Sequence, residues 1–473
     1  MNILEACRDE KLFRPWFRDV ETYRAWFAFL ATLFALPMDA DQLALFQRHT
    51  GRTQPPSHAS NEGWLIVGRR GGKSFVMALV AVYLACFRSY RQYLAPGERA
   101  TVMLIAADRK QARVIARYIS GMLNNIPLLR KLIEKETAES FDLTNGVTIE
   151  IGTASFRSTR GYSFAAVICD ELAFWRTGDD SANPDFEILS AVRPGLATIP
   201  GAMLLCASSP YAKRGALWDA FRRYWAKDDA PLVWKAATRE MNPTLPQRTV
   251  DEAMERDRSS ALAEYMGEFR TDIEAFVQLE TVEQCIRTDF KMRPPIKALR
   301  GEYFAFVDPS GGSSDSMTLA IAHRNAKTDD IVLDALLERV PPFNPEQAVD
   351  EFCRHLRLYG INSVEGDRYA GEWPREQFRK RGFTYRVAGK TRSELYLDLL
   401  PVLNSGMVDL LDNQKLINQL ISLERRVARG GRESIDHPPG GHDDCANAVA
   451  GVVQMTNRWV RNPKVHTGSW KAY

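Results

Sequence analysis

Gly71, Gly72, Lys73 and Ser74 have, in that order, the residue types that cradle a phosphate group. Small residues let backbone N–H groups approach the oxygens, the lysine offsets β/γ charge, and the serine hydroxyl reaches Mg²⁺. They stand in "WLIVGRRGGKSFVMALV", residues 64 to 80, where the apolar run Leu65 to Val67 enters a glycine-rich turn. A helical run follows from Phe75 to Tyr90. The common pattern G-x-x-x-x-G-K-[ST] calls for glycine where Val67 stands. Gly68 comes one place late and is followed by Arg69 and Arg70. Alone, the segment reads equally well as the start of an ordinary helix.

A second element tips that balance. "AAVICDEL", ending in Asp170, Glu171 and Leu172, is an apolar strand with two acids at its end. Asp170 is placed to hold Mg²⁺ through water, and Glu171 to polarise an attacking water. Acids at the exposed end of a strand are common; on the same sheet as a phosphate loop they favour nucleotide hydrolysis. "LLCASSP" brings Ser208, Ser209 and Pro210 to the end of another strand, where they would sense the γ-phosphate. Phe46 and Gln47 offer an adenine contact, since a glutamine amide both donates and accepts at a purine edge. An amphipathic helix with a surface glutamine explains them as well. Arg160, in "RSTRGYSF", is either a finger completing a neighbouring subunit's site or a surface charge.

The C-terminal half carries a different chemistry. Asp308 ends "YFAFVD", Asp367 ends "INSVEGD", and Asp443 and Asp444 precede the apolar run "CANAVAGVV". Acids so widely spaced suit three converging elements rather than one local loop. Carboxylates at strand ends and a helix start can bind two Mg²⁺ or Mn²⁺ about 3.5–4 Å apart, for hydrolysis of a phosphodiester. Hard oxygen donors select these ions over zinc. Singly, each acid reads as a cap or turn residue. Asp315 is an auxiliary ligand candidate, and His442 lies nearby in sequence.

The elements that must position these residues are legible. From Trp64 to about Pro210, "WLIVG", "TVMLIAA", "VTIEIGT", "AAVICD" and "AMLLCASS" alternate with helical segments, indicating a mostly parallel sheet covered on both faces. Residues 1–60 read as helical and aromatic-rich, and 211–300 as charged and mostly helical. Near Tyr303 an antiparallel meander begins, and the order β-β-β-α-β-α with acids at those places is that of the RNase H fold. The 473 residues allow two or three domains; apolar and charged contents of 45% and 26% are ordinary. A net charge of +3 excludes a global basic field, leaving local patches such as "RRYWAK", "RKRGFTYR" and "RRVARGGR" for nucleic acid, or for solvent. Seven scattered cysteines without a C-x-x-C pair argue against zinc or disulfides and fit a reducing cytoplasm. No signal-like core or run of ~20 apolar residues is present, so a soluble intracellular protein is expected.

A phosphate-loop ATPase followed by an RNase H-like nuclease resembles the large terminase subunit of tailed bacteriophages, over roughly residues 40–455. That family's loop often reads R-x-x-G-K-[ST], which Arg69 and Lys73 match. Its paired acids match Asp170 and Glu171, its coupling motif Ser208-Ser209-Pro210, its adenine-site glutamine Gln47, its trans-acting arginine Arg160. Its nuclease acids match Asp308, Asp367 and the Asp443–Asp444 pair. Many members read D-D-x-x-D-A at the last motif, whereas this chain has Asn447. Which of Asp443 and Asp444 is the principal ligand therefore stays open.

The resemblance implies a fold of two α/β parts: an ASCE-type phosphate-loop NTPase with a mostly parallel sheet and a C-terminal RNase H-like nuclease. The expected divisions are 1–60 (helical segment, lid and adenine-site region), 61–215 (ATPase core), 216–300 (helical lid or linker), 301–457 (nuclease) and 458–473 (basic tail). Residues 68–74 (Gly68, Arg69, Arg70, Gly71, Gly72, Lys73, Ser74) would hold ATP, with Mg²⁺ on Ser74 and Asp170. The activity implied is ATP-driven packaging of double-stranded viral DNA into proheads, with endonucleolytic cutting of concatemers by a Mg²⁺ or Mn²⁺ site. Implied partners are DNA, a portal protein, a small terminase subunit and copies of the chain in a ring, commonly of five, with a monomer allowed when free. The host cytoplasm is the implied compartment, with no membrane contact. Two other readings compete: a helicase or repair ATPase–nuclease, and a non-catalytic DNA-binding scaffold with a decayed loop. No further helicase motif is evident, and intact Lys73, Ser74, Asp170 and Glu171 speak against decay.

Overall fold

A computed structural model describes residues 1–154, 161–175, 184–287, 290–313, 315–367, 372–427, 433–438 and 441–458. They form two compact units that divide after Ile273.

The first unit is built on an eight-stranded sheet. Its strands are β1 (Glu62–Val67), β2 (Ala100–Ala106), β3 (Ile133–Glu136), β4 (Ser140–Leu143), β5 (Val147–Thr153), β6 (Ser163–Asp170), β7 (Met203–Ser208) and β8 (Leu232–Ala236), in the order β3-β4-β5-β2-β6-β7-β1-β8. From β5 to β8 all pairings are parallel; β3 and β4 add an antiparallel edge. Both faces are covered, which is why the strands read as unbroken apolar runs. Along β1 the side chains alternate: Leu65 and Val67 enter one core, Trp64 and Ile66 the other. The five strands expected from the sequence are all present. β3, β4 and β8 were not anticipated, because runs of four or five residues in charged surroundings show no periodicity to separate strand from helix.

Two consequences concern the flanking segments. The helix Arg24–Leu33, "RAWFAFLATL", is apolar on all sides, and Trp26, Phe29 and Leu30 are fully buried in the first core. The first sixty residues, expected as a helical segment and lid, thus supply part of the first unit's interior. Likewise the segment expected as a helical linker contains β8, an edge strand of the same sheet, beside helices Gln247–Arg256 and Arg258–Met266. Residues 274–300, placed with that linker on the sequence, belong to the second unit.

The chain passes into the second unit at β9 (Ile273–Ala275). There β10 (Tyr303–Asp308), β11 (Met317–Arg324) and β12 (Ile331–Arg339) form the antiparallel meander. β13 (Ser363–Gly366) lies parallel to β10, and β14 (Thr384–Val387) parallel to β13; β15 (Val408–Asp409) extends the other edge. Three antiparallel strands with two parallel ones added beside the first is the RNase H-like arrangement. β14 begins inside "RKRGFTYR", a stretch read above only as a basic patch. β16 (Glu424–Val427) and β17 (Glu433–Asp436) form a hairpin. In it, Arg425 pairs with Glu433 and Arg426 with Glu424, so part of "RRVARGGR" is neutralised locally. The helix Asp444–Arg458 packs on the sheet through Gly451, where any Cβ would stand 2.3 Å from the Phe306 ring. Only glycine permits that approach. No helix among the described residues is long and apolar enough to cross a membrane.

Two candidate catalytic centres

Parallel strands present their carboxyl ends along one edge of the sheet, where ligands of open α/β sheets bind. In register, Ile66 of β1 lies opposite Ser208 of β7, and Asp170 of β6 opposite Ala207. The phosphate loop, the acid pair and the Ser208–Ser209 segment therefore converge. Ser74 Oγ donates to Asp170 Oδ2 at 2.8 Å, and buried Lys73 lies 3.5 Å from Glu171 Oε1. Lys73 Nζ also donates to Val67 O at 2.9 Å.

Asp170 is completely buried, and burial first, then the charge of Glu171, raises its pKa. Hydrogen bonds from Gln111 and Ser74 and the charge of Lys73 oppose that rise. Glu171 has φ 51°, in the left-handed region that a glutamate rarely adopts. Its Oε2 accepts from Ser208 Oγ at 3.3 Å and from Ser209 N and Oγ at 3.4 Å. The serines expected to sense the nucleotide thus touch the expected catalytic acid directly. Gln111, on the helix Arg109–Asn125, donates to Asp170 Oδ2 at 2.7 Å and was not foreseen. A glutamine on an amphipathic helix carries no local signal of that role.

The loop is held from outside by residues far away in sequence. Trp26 Nε1 donates to Gly71 O, Thr238 Oγ1 to Arg69 O, and Asn242 Nδ2 to Arg70 O, all within 2.8–2.9 Å. Arg69 turns its guanidinium to Glu264 at 3.1 Å, while its backbone N–H donates to Glu264 O. Gly68 has a role of its own: a Cβ there would stand 2.3 Å from Thr238 Oγ1 and 2.9 Å from Tyr265 O. The displaced glycine is where β8's following turn and the helix Arg258–Met266 press on the loop. Gln47 is exposed, its amide 3.5 Å from Thr53 O, while Phe46 beside it is buried. Arg160 lies outside the described residues.

The second centre is a cleft of about 1220 Å³ lined by Asp308, Asp315, Asp367, Asp443 and Asp444 among others. Here β10, β13 and the start of helix Asp444–Arg458 meet. Between Asp308 and Asp367 lies Asn447, whose Nδ2 donates to Asp308 Oδ2 at 2.8 Å and Asp367 Oδ2 at 3.2 Å. Its Oδ1 is buried and has no partner among the described residues. Burial raises the Asp308 pKa well above the usual carboxylate range; the Asn447 bond opposes, and the charges of Asp444, Asp367 and Asp443 add to the rise.

The two neighbouring aspartates have different surroundings. Asp443 is used on both oxygens, by Arg392 at 2.8 Å and by Tyr396 OH at 2.8 Å. Asp444 is pushed up to about 6 by burial and by the charge of Asp443, against His442. Gln419 Oε1 accepts from the backbone N–H groups of Cys445 and Ala446, so the helix start is capped without either aspartate. Asp315 lies 3.6 Å from His442. Among the described residues no group of three His, Cys, Asp or Glu side chains is gathered as a metal site; the residue bridging Asp308 and Asp367 is an amide. A further buried hydroxyl, Tyr385 OH, has no partner among the described residues, and a Cβ on Gly366 would fall 2.1 Å from it. Arg392, Tyr396, Asn447 and Tyr385 gave no sequence signal as site residues, apart from Asn447 as a departure from the family pattern.

Residues 65–187 match the family model "Terminase large subunit, T4likevirus-type, N-terminal". No curated protein matches the chain. Among solved structures, the large terminase of bacteriophage HK97 is 16% identical, covering 84% of this chain and 91% of that one, with a TM-score of 0.37. The large terminase of a thermophilic bacteriophage is 10% identical, covering 92% and 98%, with a TM-score of 0.35. The ATPase domain of the Thermus phage P74-26 large terminase is 17% identical, covering 51% and 97%, at 0.36. The matched segment contains the phosphate loop, Asp170 and Glu171 together, and over it the chain is similar to the N-terminal part of large terminase subunits.

Proposed function

We propose that this protein hydrolyses ATP to drive double-stranded viral DNA into proheads and cuts the concatemer with its second centre. The observation that carries the reading is the joined set Lys73, Ser74, Asp170 and Glu171 at one sheet edge, in a chain whose other unit holds an acid-lined cleft. ATP phosphates would lie on the backbone of residues 68–74, with Lys73 and Ser74 turning from Val67 and Asp170 toward them. Glu171 orients the attacking water, and its bonds to Ser208 and Ser209 couple its position to β7 and to Pro210 beyond. Gln47 as an adenine contact and Arg160 as a trans-acting finger remain part of the proposal. So do a portal protein, a small terminase subunit, a five-membered ring and the host cytoplasm.

In the cleft, the donors are hard oxygens, and the amide of Asn447 stands between two carboxylates where a cation would be neutralised. Together with the partnerless Asn447 Oδ1, this supports a fit to Mg²⁺ or Mn²⁺, held by Asp308, Asp367 and Asp444 with Asp315 at the margin. Such ions, when bound, supply charge neutralisation at the phosphodiester and a more acidic water. Asp443 is assigned as the anchor of Arg392 and Tyr396 rather than the principal ligand, because both its oxygens are engaged. The deciding experiment is packaging of DNA into purified proheads by wild-type protein with ATP. Encapsidated DNA that depends on Lys73 supports the motor; ATP turnover without any encapsidation would sink it in favour of a repair-type enzyme.

A further inference from the structure

Gln111 touches both of the side chains read from the sequence as holding Mg²⁺ in the first unit. Its Nε2 donates to Ser74 Oγ at 3.0 Å and to Asp170 Oδ2 at 2.7 Å. Ser74 Oγ donates to that same carboxylate oxygen at 2.8 Å. One amide nitrogen therefore closes a triangle with a hydroxyl at the start of the helix Lys73–Phe87 and a carboxylate at the end of β6. Local structure aims it there. Gln111 is the third residue of the helix Arg109–Asn125, whose cap residue Asp108 accepts from the backbone N–H groups of Lys110 and Gln111 at 2.7 and 2.9 Å. A glutamine at that position can reach back to the cap's own backbone. Here the side chain crosses instead to Asp170 and Ser74, 59 and 37 residues away in the chain.

We propose that Gln111 is a positioning residue that keeps Ser74 and Asp170 aligned in magnesium-free protein and gives up both bonds when the Mg²⁺ of a bound nucleotide takes these oxygens. The inference rests on the phosphate-loop reading above and deepens it. Both oxygens are hard donors of the kind that suit Mg²⁺, and the Asp170 carboxylate is fully buried. A buried carboxylate needs hydrogen-bond donors around it, and an amide supplies N–H groups without adding charge. An arginine or lysine in its place would neutralise Asp170 and oppose the cation by its own charge. Gln111 is half-buried, so a released amide can turn to water. The second unit uses a similar device, with Asn447 Nδ2 between Asp308 and Asp367. If cation binding must break these bonds, removing the donor tightens the cation; a glutamine that only supports the fold would have no such effect.

The test measures how many fold MgCl2 tightens ADP binding relative to EDTA, by titration calorimetry on the full chain. Gln111→Leu keeps the bulk and loses the donor. Its ADP affinity in EDTA should match wild type, while the magnesium factor rises about tenfold. Gln111→Glu sets a further carboxylate beside Asp170 and should raise the factor at least as much; it carries the comparison alone if Gln111→Leu does not fold. Thermal unfolding gives a second readout, since each variant should lose Tm in EDTA and recover it with MgCl2 and ADP. A magnesium factor equal to or below that of wild type, or a Tm loss of the same size under both conditions, would overturn the role of Gln111. Ser74→Ala separates this failure from that of the phosphate-loop reading. If Ser74→Ala keeps the wild-type factor, or wild type binds no ADP, the phosphate-loop reading falls and the role of Gln111 with it.

Discussion

Asn447 donates a 2.8 Å hydrogen bond to Asp308 from the helix Asp444–Arg458, and that bond organises the second centre. The amide also reaches Asp367, so a neutral group holds two acids together without adding charge. Restoring an acid should reverse this. Asn447→Asp is expected to destabilise metal-free protein by on the order of 1–3 kcal/mol, through crowding of buried carboxylates. It should also enlarge the rise in Tm produced by MgCl2. Thermal unfolding with and without MgCl2 checks both, and an unaltered Tm in chelator would contradict the arrangement.

Tyr385 gives the opposite pattern of stability and function. Burial, then the charges of Asp308 and Asp367, pushes its hydroxyl above the usual tyrosine range, and no described residue pairs with it. Removing an unpaired buried hydroxyl costs nothing and can gain about 1 kcal/mol. Tyr385→Phe should therefore be as stable as wild type or more so, yet cleave plasmid DNA more slowly. Marked destabilisation would mean the hydroxyl is a structural bond donor after all.

At the first centre, Glu171→Gln keeps the size of the side chain and its contacts with Ser208 and Ser209. ATP turnover should fall by roughly 10²–10⁴-fold, with ATP affinity little changed. Undiminished turnover in a coupled ATPase assay would remove Glu171 from the mechanism.

Gly68 is where the loop meets Thr238 and Tyr265 O. Gly68→Ala should cost about 1–3 kcal/mol, as overpacking against backbone does. Urea midpoints measure it, and the Thr238→Ser variant, which keeps the bond to Arg69 O, serves as the mild comparison. A Gly68→Ala midpoint equal to wild type would show that the contact relaxes freely.

The first unit should also lose stability in mild acid. His49 is buried against Trp234 with Nδ1 2.9 Å from Lys235 O. Burial lowers its pKa from the ordinary 6.5, against Glu240 and Lys235 O, with Arg48 adding to the fall. The unfolded chain then binds the proton more readily than the folded one. Stability from this group is present above about pH 6.5 and is lost as pH falls from there toward the depressed folded value, by at most about 1.4 kcal/mol per pH unit. Wild type should lose more of its urea midpoint between pH 7.5 and 5.5 than His49→Gln does; parallel losses would exclude His49 as the cause.

Much of this molecule is readable in short windows of its sequence. An apolar run followed by Gly71-Gly72-Lys73-Ser74, and another closing on Asp170-Glu171, name their strands and the chemistry proposed for them, because strand, turn and helix start are contiguous. The meander ending in Asp308 is legible for the same reason. What no window contains is the set of long-range partners. Trp26, Thr238, Asn242 and Glu264 reach the loop only because β8 lies beside β1 and the helix Arg24–Leu33 is packed inside the sheet's cover. Arg392 and Tyr396 claim Asp443, and Asn447 rather than a third acid bridges Asp308 and Asp367, through the register of helices on a sheet. Residue types and their local order determined which chemistry is possible here. Sheet order and helix packing decided which side chains stand together at each centre, since contacts between segments far apart in the chain form only when the whole core does.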